Sequence, residues 1–320
     1  MPGVLCGVDI GGTKCSIALI DEDGKILDKI YTCAHVEEEE EDGMVNMVAG
    51  HVKELLQRNQ VKESDLPALG VGCAGHIRFR DGVIITTSNL EGFDNYPLRD
   101  KLQAHFEIPV ILDNDANAQA VGEHKFGAGK GYEDMIFVTI STGIGAGLII
   151  NGKPYRGMTG TAGEFGHSIV EPNSELVCAC GNRGCLMACA CGQALPHLFE
   201  KKLKEGMETK IKMPPNFNVS KINGQTLKKG LDMDDPLSKA VITDSAYYVG
   251  IGLYNLFQIL NPPLIVLGGG LTNWGEFYLD KIKETFYELA GNMIHDPIEI
   301  TLSEIIGDAG VIGAAALSLE

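Results

Sequence analysis

The chain has 320 residues, 44% of them apolar, enough for a sizeable core and for two domains of about 100–200 residues each. A formal net charge of −17 sets it against phosphodiester backbones, because nucleic-acid binding draws its affinity from Lys and Arg displacing counterions. No run approaches the ~20 apolar residues that span a bilayer, and the first five residues lack the basic start of a secretory signal. The expectation is a cytoplasmic protein with neither nucleic acid nor membrane as partner.

In chain order, residues 4–10 form an apolar run that predicts a strand. Gly11-Gly12-Thr13-Lys14 then predicts a turn, residues 15–20 a second strand and residues 25–32 a third. A Walker loop is followed by a helix; here the glycine turn is followed by a strand, so a hairpin is expected and not a P-loop. The acidic run at 37–42 reads as a solvated loop before a helix. Met44, Val45, Val48, Val52, Leu55 and Leu56 recur at helical period.

Strands are predicted at 68–73 and 83–86, an amphipathic helix at 97–106, and a strand at 110–112 ending in Asp113-Asn114-Asp115. Open α/β sheets place ligands at the carboxyl ends of such strands. The theme returns at 135–140, where a strand leads into Ser141-Thr142-Gly143-Ile144-Gly145 and a further strand at 146–150. A long helix over 237–260 precedes Asn261-Pro262-Pro263, a strand at 264–267 and Gly268-Gly269-Gly270. Glycine turns let backbone N–H groups approach a polyphosphate closely, because no Cβ intervenes. Asp9 is placed to hold Mg²⁺ through water and Lys14 to meet phosphate.

Five of the nine cysteines fall within 178–191. Thiolate and imidazole are the donors tetrahedral Zn²⁺ prefers, and Cys178-x-Cys180-x4-Cys185 with His167 upstream supplies one ligand per corner. Four protein ligands leave no open position, so the metal is expected to be structural. Its effect would be to fix Glu164, three residues before His167, beside a glycine-rich loop.

Taken together, these segments resemble the ROK family of sugar kinases and related repressors. Asp9-Ile-Gly-Gly-Thr-Lys14 is similar to its first phosphate motif, Asn114-Asp115-Ala-Asn117 to its catalytic segment, and Thr142 through His167 to its signature. Cys178 to Cys185 is similar to its zinc motif and Leu267-Gly-Gly-Gly270 to its adenosine segment. The resemblance implies an α/β protein with the actin-like ATPase (ribonuclease H-like) fold, two lobes with a cleft between. Residues 1–114, with a helix from 309 packing back, would form the small lobe, and 115–308 the large lobe carrying the zinc.

It further implies an ATP-dependent kinase acting on the 6-hydroxyl of glucose or a related hexose, with Asp115 as general base and ATP, Mg²⁺ and structural Zn²⁺ as cofactors. Asn114, Glu164 and His167, with Gly75 and Asn89, would contact the sugar. Asp9, Gly11, Gly12, Thr13, Lys14, Thr142, Gly143, Gly145, Gly268, Gly269 and Gly270 would contact the nucleotide and its metal. One residue departs from the pattern: Met187 stands where relatives usually carry a Glu that bonds hydroxyls around C1 and C2. A thioether is a weak acceptor, which leaves N-acetylhexosamine phosphorylation and non-catalytic sugar sensing as alternatives. The family's repressors carry a DNA-binding segment ahead of the sugar domain, and Asp9 at the ninth position argues against one here. Homodimer and homotetramer both stay open.

Overall fold

The computed structural model describes residues 3–33, 42–87, 90, 92–214, 216–296 and 298–320; Asn89 and the acidic residues 37–41 lie outside them. Strands β1 (Leu5–Ile10), β2 (Lys14–Ile20) and β3 (Ile26–Cys33) precede helix α1 (Gly43–Arg58), then β4 (Leu69–Cys73), β5 (His76–Arg78) and β6 (Val83–Thr86). Next come α2 (Leu98–Gln103), β7 (Val110–Asn114), α3 (Asp115–Phe126), β8 (Met135–Ile140), β9 (Ile144–Ile150) and β10 (Lys153–Pro154). The remainder is α4 (Leu186–Ala190), α5 (Leu195–Lys204), α6 (Gly224–Asp232), α7 (Pro236–Leu260), β11 (Leu264–Gly268), α8 (Glu276–Ala290), β12 (Glu299–Leu302) and α9 (Ala309–Ala316).

Two five-stranded sheets run in the orders β3-β2-β1-β4-β7 and β10-β9-β8-β11-β12, and β5 pairs with β6 separately. In the first sheet the hairpin strands β1, β2 and β3 are antiparallel, whereas β1, β4 and β7 run parallel. Burial follows position: β4 is buried along its whole length, while the edge strand β3 alternates between half-buried and exposed residues. One face of this sheet is covered by α1, whose Met44, Val45, Val48, Val52, Leu55 and Leu56 all enter the core, as their helical spacing predicts. Helix α9 covers the other face. It lies close because the strands present glycines there: a Cβ on Gly7 would stand 2.9 Å from Ala315 Cα, and one on Gly70 2.9 Å from the Ala314 carbonyl carbon.

The chain divides into two compact units. Met1–Phe137, Gly147–Gly163 and Ser303–Glu320 form the first; Val138–Ala146 and Glu164–Leu302 form the second. This grouping differs from a division at residue 114, because α3 packs against α9 and β4 and so stays with the first sheet. The second unit gathers around α7, which is apolar on nearly every side and packs against α4, α5, α6 and α8.

Three predicted boundaries shift by two residues or more; one is β9, which starts at Ile144 and not at 146. Helix α2 ends at Gln103 and not at 106, since His105 and Phe106 donate to carbonyls three residues back and tighten the last turn, with Phe106 still buried. Strand β7 extends to Asn114 because Cys73 on β4 pairs with it. Strands β5 and β12 and helices α5, α6 and α8 are elements the sequence reading does not anticipate.

Candidate active site

Register brings the first unit's site together. Ile10, Cys73 and Asn114 pair in one row across β1, β4 and β7, and Asp9, Gly72 and Asp113 form the row before it. The Gly11 turn, Gly75 and Asn114-Asp115 therefore all leave the same carboxyl edge. Gly11 N–H donates to the Lys14 carbonyl at 2.9 Å and closes the hairpin, with Gly12 and Thr13 at its tip. Lys14 opens β2, exposed, with Nζ 5.6 Å from the Tyr31 ring centroid.

Asn114 caps α3: its Oδ1 accepts from Ala116 N–H at 2.9 Å and its Nδ2 donates to the Gly75 carbonyl at 2.9 Å. Gly75 adopts φ +126°, and a Cβ there would stand 2.8 Å from the Thr86 carbonyl oxygen, so no other residue fits. One Asn114 amide hydrogen and one lone pair remain for a ligand. Since Asn114 serves as the cap, Asp115 is the first residue of the helix itself, and its Oδ1 accepts from Ala116 N–H at 2.9 Å.

Asp9 is half-buried, and its carboxylate lies against Gly310 at the start of α9, where a Cβ would stand 2.6 Å from Asp9 Cγ. Burial, and then the charge of Asp115, push its carboxyl up to about 7. An acid held so far above its ordinary range is a place where a cation is favoured.

Two residues of this neighbourhood escape the sequence reading. Asp113 is buried, and its carboxylate accepts from Asn114 N–H at 2.8 Å, Asn117 Nδ2 at 2.9 Å and Arg156 Nε at 2.6 Å. Arg156 in turn lies over the Phe79 ring, 3.7 Å from its centroid. Asp113 sits directly before the Asn114-Asp115 pair, which is a signal; nothing in the sequence marks Arg156. Beside this network a cavity of about 660 Å³ is lined by residues including His76, Arg78, Arg80, Arg156 and Thr159.

The second unit assembles the other glycine turn. Ser141 N–H donates to the Gly143 carbonyl at 2.8 Å, and Gly192 N–H to the Ser141 carbonyl at 2.7 Å. Thr142 lies in this turn and Gly145 follows in β9. After Gly268 closes β11, Gly269 adopts φ +91° with Ile140 so close that a Cβ would stand 2.7 Å from its carbonyl carbon. Gly270, next along, would bring a Cβ to 3.5 Å from Ser141 Oγ. The Thr142 and Gly268-Gly269-Gly270 segments are thus neighbours. Met187 reaches the same turn: a Cβ on Gly143 would lie 3.3 Å, and one on Gly166 3.0 Å, from Met187 Cε.

The ligand atoms of His167, Cys178, Cys180 and Cys185 all lie within 4.8 Å of one another. Cys180 Sγ and Cys185 Sγ are 3.7 Å apart, and Cys178 Sγ and His167 Nδ1 3.5 Å. Bond lengths of about 2.3 Å to sulfur and 2.0–2.1 Å to nitrogen give tetrahedral edges of about 3.8 and 3.5 Å. Both observed separations match. Hydrogen bonds from Gly181 N–H to the Cys178 carbonyl at 2.9 Å and from Cys178 N–H to the Asn182 carbonyl at 2.8 Å fold the loop. With Nδ1 toward the thiols, His167 Nε2 faces Glu164, 3.9 Å from Oε2. Cys189 and Cys191 are buried and outside the cluster.

A mixed sheet with parallel strands feeding a glycine hairpin and an Asn-Asp helix start, and a second sheet bearing its own glycine turn, define the actin-like ATPase class of fold. The chain belongs to the ROK family, which it matches over residues 5–320. It is 33% identical to a glucokinase of Halalkalibacterium halodurans, over 97% of this chain and 93% of that one. Among solved structures it is similar to a ROK hexokinase from Thermus thermophilus, with TM-score 0.81 and 30% identity over 98% of this chain and 97% of that one. A ROK glucokinase from Streptomyces griseus in complex with glucose and AMPPNP superposes with TM-score 0.80 and 32% identity, over 98% of this chain and 99% of that one. No helix among the described residues is long and apolar enough to cross a membrane.

The raised Asp9 carboxyl carries a stability consequence. The folded chain holds a proton there up to about pH 7, whereas an unfolded Asp releases it near 3.8. The folded state therefore binds more protons across that window, and this group's contribution to stability falls as pH rises through it. Asp9→Asn removes the charge. Ligand-free Asp9→Asn protein should be more stable than the parent at pH 8, by on the order of 1–3 kcal/mol, with the difference closing toward pH 4. Urea unfolding at the two pH values measures this; a difference that does not change with pH would contradict the raised carboxyl.

Proposed function

We propose that this chain is an ATP-dependent sugar kinase that transfers the γ-phosphoryl group to the 6-hydroxyl of glucose or a closely related hexose, with Asp115 as general base. The observation that carries this reading is the division of labour at the start of α3. Asn114 takes the capping role, so the Asp115 carboxylate, at the carboxyl edge of the sheet and near Asp9, is not needed to start the helix. The glucokinase relatives, one of them bound to glucose and an ATP analogue, support the same reading.

In this mechanism Asp115 accepts the proton of the 6-hydroxyl as its oxygen attacks the γ-phosphorus, and ADP leaves. Phosphoryl transfer needs positioning and charge neutralisation more than covalent chemistry, and the chain's parts match those needs. The Gly11-Gly12-Thr13 and Thr142-Gly143 turns present backbone to phosphate, Lys14 offers a cation, and Gly268, Gly269 and Gly270 leave room for the adenosine. Asp9 would hold Mg²⁺ through water, and the ion when bound would neutralise phosphate charge. Gly75 fixes Asn114, which with Glu164 and His167 is assigned to sugar hydroxyls; Asn89 is assigned there by resemblance alone.

Zn²⁺ would be held by His167, Cys178, Cys180 and Cys185, fixing the imidazole with Nε2 turned to Glu164. A division at residue 114 would put Asp115 and the metal in one lobe, whereas the observed units place Asp115 in the first and the metal ligands in the second.

Asp115→Asn should lower kcat by ~10²–10⁴ while leaving sugar and nucleotide affinity nearly unchanged. A coupled ADP-release assay with calorimetric binding measures both, and substantial residual turnover would remove Asp115 from the base's role.

Protein purified without chelator should contain one zinc per chain, with affinity falling as pH drops because the thiols must ionise to bind. Elemental analysis, repeated on Cys185→Ser, checks the count; retained stoichiometry in that variant would refute the ligand set.

Met187 reaches Gly143 and Gly166 with a thioether, not a carboxylate. Met187→Glu should lower KM for glucose by roughly tenfold, with kcat changing less, as a charge-assisted hydrogen bond gained in both ground and transition states requires. Steady-state kinetics on a hexose and N-acetylhexosamine panel tests this, and an unchanged glucose KM would show that position 187 does not govern recognition.

A further inference from the structure

We infer that Arg156, acting through Asp113, is the positioning residue that sets the Asn114-Asp115 turn for phosphoryl transfer. The inference rests on Asp115 being the base.

The geometry is confined to the first unit. Asp113 is 1% exposed and accepts three hydrogen bonds, two from groups of the catalytic helix start: Asn114 N–H at 2.8 Å and Asn117 Nδ2 at 2.9 Å. The third comes from Arg156 Nε at 2.6 Å, the sole cation paired with this carboxylate among the described residues. A buried carboxylate left unpaired is strongly unfavourable, and Arg156 is the cation that pairs with Asp113 at this place. Held in this pair, Asp113 fixes two points of the turn by charge-assisted bonds, the backbone of Asn114 before Asp115 and the Asn117 side chain after it.

Arg156 is itself held from a third element. Its guanidinium stacks on Phe79, just beyond β5, while Asn114 Nδ2 bonds to Gly75, just before β5. The segment around β5 therefore braces the turn twice, once directly and once through Arg156 and Asp113. Lysine would keep the charge but lose the planar stacking surface and the fork of donors. Two buried atoms of the network, Asn117 Oδ1 and Arg156 Nη2, have no hydrogen-bond partner among the described residues. Burying polar atoms without partners is costly, and its presence here fits an arrangement retained for the turn's geometry and not for stability.

The test uses Arg156→Met, Arg156→Lys, Asp113→Asn and the Arg156→Met/Asp113→Asn double variant, with Asp115→Asn alongside. Arg156→Met should lower kcat ~10–100-fold per folded molecule, since displacement of a reacting group by about 1 Å costs this much, while KM for ATP stays within about twofold. Arg156→Lys should fall between it and the parent. The double variant should recover roughly tenfold over Arg156→Met, because a neutral side chain at 113 no longer leaves a buried charge unpaired. Unchanged kcat in Arg156→Met with only a lower unfolding midpoint would reduce Arg156 to a structural role and overturn the inference. If Arg156→Met does not fold, Arg156→Lys and Asp113→Asn decide by the same kcat readout. Turnover in Asp115→Asn would instead undo the base assignment, whereas an inactive Asp115→Asn beside a fully active Arg156→Met would defeat the positioning role alone.

Discussion

The parallel register of β1, β4 and β7 is the constraint on which the first unit's site depends. Pairing Ile10 with Cys73 and Cys73 with Asn114 makes three strands end together, so that a phosphate-type turn, a positive-φ glycine and a helix start share one edge. A slip of one residue would turn Asp9 and Asp113 to the opposite face, into the apolar core beneath α1. Register is protected by that core and by the glycines on the other face, over which α9 lies too closely for any side chain.

The edge then concentrates negative charge. Burial and then the charge of Asp115 raise the cost of ionising Asp9, and a cation bound beside them would relieve it. Asp113 is handled differently: it is buried outright and neutralised by Arg156. Asp9, Asp113 and Asp115 thus have three environments, one at a strand end with its carboxyl raised by burial, one locked in an ion pair, and one at a helix start with its cap supplied by a neighbour.

In the second unit a cluster of four side chains, and not strand register, gathers the candidate metal-ligating groups. A short 3-10 turn over Phe165–His167 supplies His167; Cys178, Cys180 and Cys185 follow in a segment braced by the isolated bridges Ile169–Cys185 and Val177–Arg183, and the four ligand atoms gather within 4.8 Å. His167 is the joint, with one nitrogen turned to the thiols and the other to Glu164. Met187, the second residue of α4, closes over Gly143 and Gly166 and so ties the glycine turn to the same segment.

The sequence by itself determined whatever depends on local pattern: the three opening strands, the core face of α1, the long apolar α7, the glycine turns, and the spacing of a four-ligand metal set. It also carried enough motif to point to the ROK family. Tertiary structure alone decided what depends on pairing across the chain. That Asn114 and not Asp115 serves as the cap follows from where β7 stops, which its pairing with β4 fixes. That Met187 lies against Gly143, and Arg156 against Asp113, involves partners more than forty residues apart, and no periodicity or turn propensity records such contacts. Short-range physics is written along the chain; an ion pair between a strand end and a distant loop exists only once the sheet has brought them together.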